Sequence, residues 1–464
     1  MDAHSMLAFI KVSRGIYPMK RKYFLLINFL LLLSPVIAFA QIQSDSIPDV
    51  VTLQQCVVFA LQNQPEIRQA SIDEQINERD VRIGLSAWLP QISSTGQYQH
   101  YFKGGPVNQA GSGAIPTTGG PINQFSTLGL QASQVIYNNE VLLASKTADY
   151  SRLYYKQNTV SSQINVVSDV SKAFFDVLLS QKQLNIISED ILRLQRSLKD
   201  AYSRYQAGIV DKIDYKQATI ALNNSTASRK QTEESIKSKL AYLKQIMGVN
   251  PANQFTLAYD STRYENEAYI DTTQQLNVNN RIEYQLLQTQ KNLRNINVNY
   301  YKYGFLPSLS ATGNYNLIFL NNSFSNLYSK SFPIAYAGVS LAIPIFQGTR
   351  RLQNLSKARL QVERADLDII NSTNTISTQY TQAMSNYKSN YTNWQTLKEN
   401  VELARDVYKV VSLQYREGIK TYLDVIVSQS DLRTSELNYY NALFQVLSSK
   451  IDLQRAMGTL NVNQ

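Results

Sequence analysis

The sequence predicts a mixed α and β fold built twice in tandem: long helical coiled hairpins joined to four strands, each long enough to cross a bilayer. Three observations carry this. Landmark segments recur at a near-constant spacing, two stretches of 69 residues contain neither proline nor glycine, and four segments of about ten residues alternate apolar and polar side chains.

Composition narrows the function before any motif does. Of 464 residues, 17% are charged, 44% are hydrophobic and 30 are tyrosine. A polytopic helical membrane protein would be more apolar, and a disordered chain poorer in aromatics. The single cysteine, Cys56, excludes an intrachain disulfide and a cysteine metal cluster. With only His4 and His100 available, histidine metal sites and serine–histidine triads have almost no raw material, so no enzyme activity, cofactor or metal is expected. The net charge of +10 is dispersed beyond Lys22, without the basic stripe that nucleic-acid binding needs.

The N-terminus reads as an export signal, residues 1–40. Lys20-Arg21-Lys22 precedes an apolar run from Phe24, which ends at the small-residue site Ala38-Phe39-Ala40. Cleavage there would leave Gln41 first. Met19 stands where such a signal should begin, so residues 1–18 read as an upstream extension. Beyond it no segment has about 18 consecutive apolar residues, so no transmembrane helix is expected.

The mature chain then divides into two repeats, 41–258 and 259–464. WLPQISSTGQY (Trp88–Tyr98) matches FLPSLSATGNY (Phe305–Tyr315), and RYQAGIVDKID (Arg204–Asp214) matches QYREGIKTYLD (Gln414–Asp424). Met247-Gly248 matches Met457-Gly458. The first copy carries a glycine-rich insertion, Gly104–Gly120, read as a flexible exposed loop because it lacks the Lys-Ser/Thr of a phosphate cradle. Its counterpart, Leu320–Pro333, is also turn-rich.

Within each repeat a helix (about 65–88 in the first) leads to strands, about 90–136 and 307–346 overall. Ile92, Tyr98, His100 and Phe102 share one strand face; Leu128, Leu130 and Ala132 share a second. The second copy repeats this with Leu309, Ala311, Tyr315, Leu317 and Phe319, then Val339, Leu341 and Ile343. Such strands fit a membrane barrel, apolar outside and polar inside; a half-buried antiparallel sheet gives the same alternation. Four strands cannot close by themselves, and open edges are not viable in lipid, so a membrane barrel would need several chains. The long helices follow, Asn139–Ala207 and Thr349–Glu417, each roughly 100 Å at 1.5 Å per residue. Their heptads, Ile191, Leu194, Leu198, Ala201, Tyr205 and Val401, Ala404, Tyr408, Val411, Tyr415, correspond between copies and predict helix-on-helix packing. A glycine, Gly208 or Gly418, ends each long helix, and a return helix follows, about 211–247 in the first copy.

These landmarks, in this order and present twice, resemble the TolC-like outer membrane efflux proteins over nearly the whole mature chain. The features are the Leu-Pro strand starts, the Tyr-x-x-Gly turns followed by aspartate, the segment Val51–Ala70, and VIYNN (Val135–Asn139) and PIFQG (Pro344–Gly348) ahead of the long helices. The resemblance implies a homotrimer with a 12-stranded barrel in outer membrane lipid and a 12-helix periplasmic tunnel. It implies a mixed equatorial region, about 41–64, 249–275 and the C-terminal tail. It also implies a passive export duct working with a periplasmic adaptor and an inner-membrane pump. The tips at Gly208 and Gly418 would be where the adaptor docks. Asp214, Tyr415 and Lys420 would close the entrance, Lys420 standing where the family pattern has arginine. Asp424 would belong to an acidic ring whose second position is Val427 here. For Asp214 and Asp424 a plain helix-start acid is an equal reading. The alternative function is a secreted coiled-coil stalk or adhesin, which has no need of paired strands in both halves.

Overall fold

The computed structural model describes residues 48–103 and 122–462. The export signal, Gln41, His4 and the whole glycine-rich insertion lie outside the described residues. Within them the order is β1 (Val50–Val51), α1 (Leu53–Asn63), α2 (Pro65–Ser86), β2 (Gln91–His100), β3 (Gln124–Tyr137), α3 (Asn139–Gln206), α4 (Lys212–Met247), β4 (Thr256–Leu257), α5 (Ser261–Glu267), α6 (Ile282–Tyr303), β5 (Ser308–Asn321), β6 (Ser331–Ala342), α7 (Arg350–Arg416) and α8 (Tyr422–Met457). Helices α2, α3 and α4 have 22, 68 and 36 residues; α6, α7 and α8 have 22, 67 and 36.

The long helices run as predicted because nothing in them breaks the backbone ladder. Asn138 caps α3, its side chain accepting from the Glu140 amide at 2.8 Å. Pro65 starts α2 at a position where a missing N–H costs nothing, which separates α1 from α2. Two short helices then stack end to end against each long one. Gly248, at φ 70°, ends α4 against Asn63, and Gly458, also at φ 70°, ends α8 against Asn280. A Cβ on either would lie 2.7 Å from Asn63 O or 2.6 Å from Asn280 O. Only glycine permits both the left-handed turn and that backbone approach.

The helices form one layer. Helix α3 packs against α2 and α4 on one side and α6 and α8 on the other, and α7 packs against α6 and α8. The main core lies where α3 meets α8: Phe174, Val177 and Leu178 with Leu443, Val446 and Leu453 are buried. Phe175 stacks edge-on to Tyr264 of α5 at 6.0 Å, which brings the middle segment onto the helices. Strands β1 and β4, two residues each and paired in parallel, add to this region; they are too short to show periodicity in the sequence.

The sheet is antiparallel in the order β2-β3-β5-β6. Its register puts the four apolar sets on one face: Ile92 is opposite Ala132, Leu130 opposite Tyr315, Leu128 opposite Leu317, Ala311 opposite Val339 and Leu309 opposite Leu341. The other face carries Ser93, Gln131, Asn314, Asn316 and Ser340. Two strand ends need correction. Strand β6 stops at Ala342, so Ile343 and Phe346 lie beyond it; Pro344 has no amide for the ladder and restricts the residue before it. Strand β2 stops at His100, leaving Phe102 outside. The turn-rich stretch after β5 contains a 3-10 segment, Phe324–Ser329, whose Leu327 is fully buried. Among the described residues no helix is long and apolar enough to cross a membrane.

Candidate functional site

The helical tips gather the residues singled out by the sequence. At the first tip the Gly208 amide donates to Tyr205 O at 3.0 Å and the Ile209 amide to Arg204 O at 3.0 Å. At the second, Gly418 donates to Tyr415 O at 3.1 Å and Ile419 to Gln414 O at 2.8 Å. The two turns are thus the same Schellman-type reversal, with φ 72° and 76° at the glycines. Ile209 and Ile419 project from them, exposed.

Just inside the tips, Ala201, Ala218, Tyr415, Tyr422 and Val425 form a buried cluster that joins the two hairpins. Ala201 and Ala218 are small enough for α3 and α4 to approach each other there. Tyr415 and Tyr422 lie 5.8 Å apart, ring to ring, and the Arg204 guanidinium sits 4.6 Å from the Tyr415 ring as a cation–π contact. Neither tyrosine hydroxyl has a hydrogen-bond partner among the described residues. Burial pushes both phenols above their ordinary pKa.

Asp214 lies in the first turn of α4, half-buried, close enough for its charge to raise both of these phenols. Its own carboxyl is raised, first by burial and then by Asp211. The structure therefore brings Asp214 and Tyr415 into one neighbourhood without a hydrogen bond between them. Lys420 is exposed in the second turn. The Asp424 carboxylate is engaged locally: it accepts from the Thr421 amide at 2.9 Å and Thr421 Oγ1 at 2.8 Å, completing a capping box. These bonds, with Lys420 adding less, hold its pKa below the usual carboxylate value.

Sequence reading missed Arg204, Tyr422 and a polar network deeper in the bundle. Asp190, 2% exposed, accepts from Ser225 Oγ at 2.9 Å, Gln429 Nε2 at 2.7 Å and Arg433 Nη1 at 3.2 Å, tying α3, α4 and α8 together. Its signal was an acid set among the core positions Ile187, Ile191 and Leu194 of α3.

With fold and tips in place, comparison with known proteins defines the class. Residues 57–249 and 286–459 match the outer membrane efflux protein family. The chain is 22% identical to the outer membrane protein TolC of Vibrio cholerae over 410 residues, 87% of this chain and 89% of that protein. It is 21% identical to the antibiotic efflux pump outer membrane protein ArpC of Pseudomonas putida, over 88% of this chain and 82% of that one. Among solved structures, the outer membrane protein VceC of Vibrio cholerae superposes with a TM-score of 0.70 at 15% identity, covering 88% of this chain and 96% of that one. The chain belongs to the outer membrane efflux protein family and acts in the cell outer membrane as an efflux channel. That family is one of ducts rather than enzymes, and it favours the export reading over a secreted coiled-coil stalk.

Proposed function

We propose that three copies of this chain join edge to edge into a closed duct that a periplasmic adaptor couples to an inner-membrane pump. The observation that carries the reading is a pair of coincident open edges. Among the described residues strand β2 pairs only with β3, and β6 only with β5; β2 follows α2, and β6 leads into α7, the two outer columns of the helical layer. Exposed apolar side chains mark both outer columns: Ile72, Ile76 and Ile83 on α2, and Leu360, Leu367 and Ile370 on α7. A head-to-tail contact between unlike edges closes into a ring. Three chains would bring twelve strands together, within the range of outer-membrane barrels. Closure removes every strand edge from lipid, and the registered apolar face would then point outward.

In this reading the tips at Gly208 and Gly418, with exposed Ile209 and Ile419, receive the adaptor. Asp214, Tyr415 and Lys420 bias the entrance closed, and Asp424 adds negative charge beside it while capping α8. Protein extracted from outer membranes with detergent should have three times the chain mass and should conduct in planar bilayers. A monomer that does not conduct would overturn the duct.

A further inference from the structure

The two helical hairpins of the chain are copies, so the contact between them inside one chain has a duplicate between chains. Residues 210 apart match along α3–α4 and α7–α8, as Gly208 matches Gly418 and Gly248 matches Gly458. For α2 and α6 the interval is 217, from Pro65 to Ile282. Helix α8 packs against both α3 and α7, so near the tips the layer runs α4, α3, α8, α7. In a head-to-tail ring the column after α7 is α4 of the partner subunit, with the partner's α2 stacked on it. Helix α7 against that column duplicates α3 against α8 and α6.

Inside the chain this seam is polar and partly ionic. Asp190 accepts from Arg433 Nη1 at 3.2 Å, Gln183 Nε2 donates to Asn441 Oδ1 at 3.1 Å, and Lys172 pairs with Asp452. The duplicates of these pairs are Asn400 with the partner's Asn223, Asn393 with the partner's Gln231, and Gln382 with the partner's Tyr242. All six residues are exposed in the single chain, whereas Asp190 is 2% exposed. Nearer the strands, Gln290 Nε2 of α6 donates to the Tyr154 hydroxyl of α3 at 3.3 Å. Its duplicate is Arg364 of α7 with the partner's Asp73 of α2, both exposed and opposite in charge.

The matched residues suit a second copy of this chain. Amide meets amide, amide meets phenol and guanidinium meets carboxylate, so each pair can exchange a hydrogen bond. An uncharged pair also closes a seam without leaving an ion unpaired.

We propose that α7 meets the partner subunit in the register of the in-chain seam: Asn400 against the partner's Asn223, Asn393 against the partner's Gln231, and Arg364 against the partner's Asp73. The change from Asp190–Arg433 to Asn400–Asn223 makes the two seams non-interchangeable. A buried Asp190 needs a cation; α8 supplies it as Arg433, whereas α4 carries Asn223 at the matching position. The charge thus keeps each α3 with its own α8 and leaves α7 for the partner. The inference rests on the ring of three chains.

Grafting the charges tests it, with the trimer measured by native mass spectrometry of detergent-extracted protein. Asn400→Asp leaves an unpaired carboxylate in the closed seam and should lower the yield of trimer by about tenfold or more. Adding Asn223→Arg should restore it. Gln231→Arg, eight residues along α4 from Asn223 and so about 12 Å away, should not. If the carboxylate variant fails to fold, Asn393→Cys with Gln231→Cys carries the same expectation: a short bis-maleimide should join the chains, and either cysteine alone should not. The native Cys56 is buried. Undiminished trimer in Asn400→Asp overturns the register, as do failure of Asn223→Arg to rescue, equal rescue by Gln231→Arg, and a trimer whose paired cysteines stay unlinked. A monomeric wild type overturns the duct beneath it instead.

Discussion

Tyr415 and Tyr205 occupy matching positions in the two repeats, yet Tyr415 is 9% exposed and Tyr205 40%. The hydroxyl of Tyr415 is buried, without a hydrogen-bond partner among the described residues, near a half-buried Asp214. In the proposed gate, a contact made by Asp214 at a tip would contribute only about 0–1 kcal/mol, so three copies would bias it by a few kcal/mol, within what adaptor binding can reverse. Asp214→Ala combined with Tyr415→Phe should raise single-channel conductance in planar bilayers and leave the melting temperature nearly unchanged, since the lost hydroxyl makes no hydrogen bond among the described residues. Unchanged conductance would return Asp214 to the role of a first-turn helix acid. Acidity should act through the same group. Because burial and then Asp211 raise the Asp214 carboxyl, it loses its charge at a higher pH than an ordinary carboxylate. Wild-type conductance should therefore rise on acidification through that range, and Asp214→Asn, already neutral, should lack the step.

At the scale of elements, the four glycines that end α3, α4, α7 and α8 in left-handed turns separate two kinds of constraint. A Cβ added at Gly208 or Gly418 would meet nothing within 4 Å, so alanine there should cost only the left-handed penalty, about 1–2 kcal/mol. Gly248 and Gly458 also face a neighbouring backbone at under 3 Å, so alanine there adds overpacking and should cost about 3 kcal/mol or more. Thermal melts followed by circular dichroism distinguish the pairs. Equal losses would mean that the end-to-end stacking of the short helices does not depend on these contacts. The helix lengths themselves were legible in the sequence, because a run without glycine or proline is a local property. That two short helices could lie end to end beside each long one was legible too, because together they nearly equal its length; which backbone atoms meet at the junction was not, since Gly248 and Asn63 are far apart along the chain and nothing in either segment names the other.

For the whole molecule, the decisive property is which way the sheet faces. Leu130 and Leu341 lie on the registered apolar face, and Gln131 and Ser340 on the other. Arginine at Leu130 or Leu341 should cost up to about 2–4 kcal/mol near the bilayer midplane and deplete the assembled protein in outer membranes. Arginine at Gln131 or Ser340 should assemble and alter conductance. Equal depletion at both sets, measured by quantitative blotting of membrane fractions, would reverse the assignment of faces.

The sequence by itself determined the long helices, the positions of the tip glycines and the alternation of each strand, because these follow from backbone sterics and from periods of 3.6 and 2 within short windows. The likeness of the two halves was also visible there. Tertiary structure alone decided that β3 pairs with β5, that the four apolar sets fall in one register, that β1 meets β4, and that Asp190 sits among Ser225, Gln429 and Arg433. It also decided why duplicated tyrosines differ: Tyr415 meets Tyr422 and the guanidinium of Arg204 in the cluster between the hairpins, while Tyr205 lies on the outside of it. Each of these depends on segments distant in the chain, whose pairing is set by the burial and hydrogen bonding of the whole assembly of elements and leaves no mark in any local window of sequence.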